Sequence, residues 1–190
     1  MTDTVQTLLE VPTGYRSTHV ARILWQLDDQ SRRLTEETRG LGVRELGWQF
    51  APGTNTIGML MTHIAVAEAH LTQVGLEGKA DSDLPSVIGI RTDDDGLPLP
   101  TEGLPPAVLE GKDLAFFDDL LARARANTRR VAMQLTDSDL ARQITRHRPD
   151  GTTRIFNLDW ALYHILEHEA GHFGQILLLK HLYQTTHARV

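Results

Sequence analysis

The sequence contains no cysteine, which excludes disulfides, thiolate metal ligands and a cysteine nucleophile. It also lacks a long hydrophobic run, because the longest wholly aliphatic stretch, 176–179, is far too short to span a bilayer. Its first residues show no basic start followed by an apolar core, so no signal peptide is predicted. These absences favour a soluble, cytoplasmic protein without a membrane partner.

An excess of basic residues is also missing. The chain has 19 Lys and Arg against 25 Asp and Glu, a net charge of −6. Proteins that bind nucleic acid need a clustered basic face, so no nucleic-acid partner is expected. The hydrophobic fraction of 41% and charged fraction of 23% are typical of globular proteins, and 190 residues fit a single domain spanning 1–190.

Helical periodicity is the main structural signal. Apolar residues recur at spacings of three and four in four segments, about 18–38, 57–75, 113–135 and 158–184. Thr54, Asn55 and Thr56 form a good N-cap cluster before the second segment, and Asn157 is a good N-cap for the fourth. The pattern predicts an all-α fold, a four-helix bundle with a long crossover connection between helices 2 and 3.

Two interruptions separate the helices. Residues 77–111 hold five of the eight prolines and an acidic run at 93–95, which predicts a long connection. Long connections often serve function, so this one is expected to cover the mouth of the bundle and to select the substrate. Residues 148–151 read Arg-Pro-Asp-Gly between two short β-prone runs, which predicts a possible short hairpin before helix 4.

Three of the nine histidines, His164, His168 and His172, step by four along the last helix. Each step turns about 40° around a helix, so the three rings share one stripe. The stripe adjoins Ala161 and Ile165, which indicates that it faces inward. An apolar core cannot satisfy three desolvated imidazoles, whereas imidazoles four residues apart can bind one divalent ion. The spacing therefore predicts a metal site.

A further ligand must come from another helix. His63 is the best candidate because it lies beside Leu60 and Ala67, which face inward by pattern, and His70 is a weaker one. His164 could be a ligand, a partner of a ligand, or part of a pocket wall. The remaining histidines are interpreted as surface or loop residues: His19, His147, His181 and His187.

Two zinc-peptidase motifs overlap in the same stretch. Residues 168–172 match H-E-x-x-H, in which Glu169 would be the general base, and 164–168 match the inverted H-x-x-E-H. No Asp or Glu follows Glu169, and Gln175 and Leu178 stand where a metzincin has glycine and its third histidine. A peptidase is therefore the less favoured interpretation. Glu169 could equally be a solvated carboxylate or a partner of a ligand, and no catalytic base is assigned.

The chain resembles the DinB-like family of the DinB/YfiT superfamily in two segments. Residues 57–65, IGMLMTHIA, resemble the second-helix pattern of an apolar run, a histidine and an apolar pair. Residues 164–176, HILEHEAGHFGQI, are similar to the H-x-x-x-H-x-x-x-H-x-G-Q signature of the fourth helix. The resemblance implies a four-helix fold and, because dimers are common in the family, a homodimer. It also implies a three-histidine site of His63, His168 and His172 that holds zinc, nickel or a similar divalent ion.

Characterised relatives include thiol-dependent transferases and isomerases that use bacillithiol, mycothiol or glutathione, so the resemblance implies a small-molecule substrate and a low-molecular-weight thiol. A divalent ion held by three neutral imidazoles could activate either a thiol, giving an S-transferase, or water, giving a hydrolase. The alternative is a non-catalytic bundle that binds a metal or small ligand. A site closed by a fourth protein ligand, such as Gln175, His70 or His164, would favour that alternative.

Overall fold

The computed structural model describes residues 6–147 and 150–187. Its helices and strands follow in this order: α1 Thr18–Thr38, α2 Val43–Leu46, α3 Ile57–Leu71 with a π-helical continuation Thr72–Leu76, α4 Leu84–Ile88, 3₁₀ turns Thr92–Asp95 and Ala107–Leu109, α5 Leu114–Ala132, α6 Asp137–Leu140, β1 Gln143–His147, β2 Thr153–Asn157 and α7 Leu158–His187. The predicted predominance of helix is confirmed, and the one sheet in the described residues is a two-stranded hairpin.

Side chains fix the start of the long helices. Thr56 Oγ1 accepts a hydrogen bond from Met59 N at 3.1 Å, and Asn157 Oδ1 accepts one from Trp160 N at 2.9 Å. Each of these bonds satisfies a backbone donor that the first helical turn leaves unpaired. Of the predicted cap cluster 54–56, Thr56 is the N-cap, and the predicted cap Asn157 is confirmed. The start of α7 is thereby fixed directly at the end of β2.

Helix α3 is the central element of the packing. It contacts α5 along one side and α7 along another, while α1 packs against α7 and α5. Most of α3 is buried, and its partly exposed residues lie at one stripe: His63, Ala67, His70 and Leu71. Because spacings of three and four return to one helix face, α3 offers a single accessible stripe, and that stripe carries two histidines.

The connection between α3 and α5 is more ordered than the sequence predicts. It contains α4, whose Leu84 and Ile88 join Ala65, Ala69 and Leu120 in one buried cluster. A five-residue helix is too short to show periodicity, so only its packing against α3 and α5 reveals it. The same connection places the buried Asp95 against α3.

The hairpin pairs β1 and β2 in antiparallel register, with Ile144 opposite Phe156. The predicted hairpin is therefore present, while Arg148 and Pro149 of its predicted turn lie outside the described residues. Gly75, in the π-helical continuation, permits close packing here, because a Cβ added to it would lie 3.1 Å from Ala161 Cβ and 3.5 Å from Phe156. The base of the hairpin is thus held close to both α3 and α7.

In the part of the chain that the structure describes, no helix is long and apolar enough to cross a bilayer.

Candidate metal centre

Three histidines from two helices converge on one point. His63 extends from α3, and His168 and His172 extend from consecutive turns of α7. The Nε2 atom of His168 lies 3.1 Å from His63 Nε2 and 3.2 Å from His172 Nε2. One ligand atom from each of the three rings lies within 4.8 Å of the ligand atoms of the other two. These residues are called the histidine triad below.

The outer nitrogens of two triad rings have acceptors that set their tautomers. His63 Nδ1–H donates to Asp95 Oδ2 at 2.7 Å, and the side chain of Asp95 is only 4% exposed. His172 Nδ1–H donates to Gln175 Oε1 at 2.9 Å. A neutral imidazole carries one proton, so the Nε2 atoms of both rings present lone pairs to the centre of the triad.

The surroundings favour the unprotonated form of two triad rings, those of His168 and His172, by lowering their pKa values. Burial, and then the neighbouring rings of His172, His63 and His164, lower the pKa of His168 to about 3. Burial also lowers the pKa of His172, although its bond to Gln175 acts in the opposite direction. Metal ligation needs neutral imidazole, so these two residues would be competent ligands at neutral pH without losing a proton first.

The separations of His168 Nε2 from the Nε2 atoms of His63 and His172 fit a shared cation. Zinc–nitrogen bonds of 2.0–2.1 Å place two tetrahedral ligands about 3.3–3.4 Å apart and two adjacent octahedral ones about 3.0 Å apart. The two distances from His168 Nε2 lie between these values. Without a cation, a proton on His168 Nε2 could form a hydrogen bond with the lone pair of either His63 Nε2 or His172 Nε2. The other lone pair would then have no donor from His168. The donor set therefore fits a divalent ion.

His164 and His70, the alternative ligands, lie outside the triad. His164 Nδ1–H donates to Glu167 Oε2 at 2.9 Å, and its ring stacks on Trp160 at 4.4 Å between centroids. His70 Nδ1 lies 2.9 Å from Ser82 Oγ. Both rings instead line a cavity beside His168, so the structure favours the pocket-wall role that the sequence left open for His164.

Glu169 does not face the triad. Its side chain is 2% exposed, Oε2 accepts from Arg125 Nη2 at 2.7 Å, and Oε1 accepts from Ser31 Oγ at 2.7 Å. Of the alternatives that the sequence left open for Glu169, the solvated carboxylate is therefore wrong, because both oxygens are engaged on the α1 and α5 side of α7. This removes the general base that a peptidase reading of residues 168–172 requires.

A cavity of about 380 Å³ opens beside His168. Its wall comes from α3, the hairpin and the first half of α7: Ala67, His70, Leu71, Val74, Arg146, His147, Arg154, Phe156, Trp160, His164 and His168. The connection 77–111 was expected to cover the site, but the hairpin supplies this wall. That connection reaches the triad instead through Asp95, which the sequence analysis did not single out among its neighbouring aspartates.

The sequence model of the DinB superfamily matches residues 26–176 of the chain, which include all three triad histidines and Gln175. Comparison with curated proteins found no match.

Proposed function

Because the chain belongs to the DinB superfamily, we propose that its histidine triad binds one divalent metal ion, zinc or nickel, for a metal-dependent reaction. The observation that carries this proposal is the convergence of three Nε2 atoms, two of which, those of His63 and His172, present lone pairs to His168 Nε2. We further propose that α1, α3, α5 and α7 form a four-helix bundle in one domain, which their mutual contacts support.

Three histidine ligands would leave at least one coordination position of the metal ion without a protein ligand, which favours an open site. In the described residues, the cluster of candidate ligand atoms holds three residues: Gln175 Oε1 accepts from His172, and the rings of His70 and His164 lie outside the cluster, in the wall of the cavity. A structural zinc site is normally closed by four protein ligands, whereas a catalytic one keeps a position for water or substrate. The cavity beside His168 gives that position access to a small molecule.

Two reaction types fit such a site. A divalent ion held by three neutral imidazoles makes a bound thiol or water easier to deprotonate, which would support an S-transferase or a hydrolase respectively. The chain itself would contribute positioning: Asp95 fixes the ring of His63, and Gln175 fixes the ring of His172. We favour the thiol-dependent reaction because of the superfamily resemblance, and a non-catalytic metal-binding role is the alternative.

Metal titration tests the proposal directly. Chelator-treated protein is expected to bind one Zn²⁺ or Ni²⁺ per chain in isothermal titration calorimetry, with the ion retained on gel filtration and counted by plasma mass spectrometry. In the Co²⁺-loaded protein, glutathione or another low-molecular-weight thiol should add a sulfur-to-cobalt charge-transfer band. Failure to bind any of these ions would overturn the proposal, and a metal site unchanged by every thiol would favour the hydrolase or the non-catalytic role.

Asp95→Asn should weaken metal binding without abolishing it. Asp95 accepts from two donors, since Oδ2 takes His63 Nδ1–H and Oδ1 takes Leu97 N–H at 3.0 Å. An asparagine has one acceptor oxygen, so one of the two contacts must be lost. Loss of such a partner of a ligating histidine typically costs about 10–100-fold in metal affinity. Competition with a chromophoric chelator would measure the change.

Asp93→Asn is the matched control, because Asp93 lies in the same acidic run, is exposed, and removes the same charge. Its metal affinity should remain close to that of the wild type. Equal weakening in both variants would show that the net charge of the run, rather than the contact with His63, sets the affinity.

A further inference from the structure

The cavity beside the triad has a distinctive charge. Among the residues that the structure describes, two arginines line it, Arg146 from β1 and Arg154 from β2, and no Asp or Glu does. The chain as a whole has six more acidic than basic residues, so this concentration of positive charge runs against the composition. A concave site with one sign of charge attracts small ions of the opposite sign.

Neither guanidinium is neutralised by a carboxylate in the described residues. Arg146 Nη1 donates to the backbone carbonyls of Ala80 and Lys79, which hold the side chain in place but carry no net charge. Arg154 packs over the ring of Trp160, with its Cζ atom 4.2 Å from the ring centroid. Both arginines are therefore fixed by contacts that leave their charge available, an arrangement suited to a carboxylate or a phosphate group.

A row of rings links these arginines to the metal site. Trp160, His164 and His168 lie on consecutive turns of α7, about 12 Å from first to last at 1.5 Å per residue. The rings of Trp160 and His164 stack at 4.4 Å, and those of His164 and His168 meet edge to face at 5.9 Å. The cavity thus runs from a cationic end at Arg154 along an aromatic wall to His168.

We propose that this cavity binds a small organic anion, with its carboxylate or phosphate group against Arg154 and Arg146 and its apolar body extending along Trp160 toward His168. Its role as the substrate pocket rests on the proposed metal-dependent function. The substrate would then be a small molecule that carries a free carboxylate or a phosphate group. The cavity of about 380 Å³ lies within the range of small-molecule sites. The body would lie between the oxyanion subsite and the triad.

Binding of simple probes to metal-free protein tests the proposal. Benzoate and phenyl phosphate have the expected form, benzamide is the neutral counterpart of benzoate, and inorganic phosphate has no apolar body. Quenching of tryptophan fluorescence should report binding at Trp160, and calorimetry should confirm the affinity. Benzoate or phenyl phosphate should bind at least about tenfold more tightly than benzamide, since a charge-assisted contact is worth roughly a factor of ten. Whichever of the two binds better identifies the preferred oxyanion.

Arg154→Gln should reduce the affinity for the better of these two probes about tenfold. Arg154 is the preferred position because its side chain is exposed on β2, whereas Arg146 also holds two backbone carbonyls. Arg123→Gln is the control, because it removes the same charge from an exposed position on α5 outside the cavity. Equal binding of benzamide and benzoate, equal binding of inorganic phosphate, or no effect of Arg154→Gln would each overturn the proposal.

These outcomes are separable from failure of the proposed function. If benzoate binds in an Arg154-dependent manner and the protein takes up no metal, the anion pocket holds and the metal-dependent function fails. If metal binds and no anion does, the metal site holds and the assigned substrate class is wrong.

Discussion

His168→Ala is expected to eliminate stable metal binding while preserving the fold. His168 contributes the central nitrogen of the triad, within 3.2 Å of both other Nε2 atoms. Structural sites with four ligands bind Zn²⁺ with a free energy of about 10–16 kcal/mol. An equal share for each ligand corresponds to roughly 10²–10³-fold in affinity. After dialysis against chelator-free buffer, the ion counted in the wild type by mass spectrometry should be absent from the variant.

His181→Ala is the matched control, because His181 is an exposed histidine on the same helix. It should retain one ion per chain, and circular dichroism should show the same helix content in both variants. Full metal occupancy in His168→Ala would show that the binding site lies elsewhere. Loss of metal from both variants would instead point to a general effect on α7.

Histidine spacing made α7 the most predictable part of the site. Helical geometry alone places His168 and His172 on one face. The apolar neighbours of His63 predict an inward-facing ring, whereas His63 and Ala67 lie on the partly exposed stripe of α3. The third histidine of the stripe, His164, shows the limit of this reasoning. Its ring shares the stripe but stacks on Trp160 and donates to Glu167, and only the arrangement of neighbouring side chains distinguishes a ligand from a wall residue.

Asp95 and the two cavity arginines could not be located from the sequence. Three consecutive aspartates look alike, and the backbone of the 3₁₀ turn Thr92–Asp95 decides which one reaches His63. Arg146 and Arg154 belong to a hairpin that the sequence does suggest. Its position over α3 and α7 depends on long-range packing, including the close approach at Gly75, which local patterns do not encode.

No pattern in the sequence predicts the buried ionic network between the helices. Arg125 on α5 donates through Nε and Nη2 to both oxygens of Glu68 on α3, at 2.7 and 3.1 Å, and through Nη2 to Glu169 on α7. The side chains of Arg125, Glu68 and Glu169 are 9%, 3% and 2% exposed. The network joins α3 and α7, the two helices that carry the triad, and Glu169 directly follows His168.

The electrostatics of this network make its members interdependent. Burial raises the pKa of Glu169, and the positive charge of Arg125 opposes that rise. The two carboxylates raise the pKa of Arg125 despite the desolvation of its guanidinium, so it stays charged. Buried charges are tolerated when paired and are strongly destabilising when one partner is removed.

Arg125→Met is therefore expected to destabilise the protein by about 3–5 kcal/mol, because it leaves two buried carboxylates without their cation. Urea denaturation followed by circular dichroism would measure the free energy of unfolding. Arg129→Met is the control: Arg129 contacts Asp28 on the surface, is 46% exposed, and should cost less than about 1 kcal/mol. Similar losses in both variants would contradict a special role for the buried network.

Two further measurements separate the loss of charge compensation from the loss of packing. Replacing Glu68 with Leu, Arg125 with Met and Glu169 with Leu in one variant removes all three buried charges. The free energy of unfolding should then return to near or above the wild-type value.

In the single variant Arg125→Met, the two buried carboxyls without a cation should have pKa values above those in the unfolded chain. As the pH falls, the folded state therefore takes up protons before the unfolded state does. The stability gap to the wild type should then narrow as the pH falls from 7 toward 5. A gap that is constant with pH and persists in the triple variant would assign the loss to packing around Arg125. The ion pairs would then not be what stabilises the contact between α3 and α7, the two helices that carry the triad.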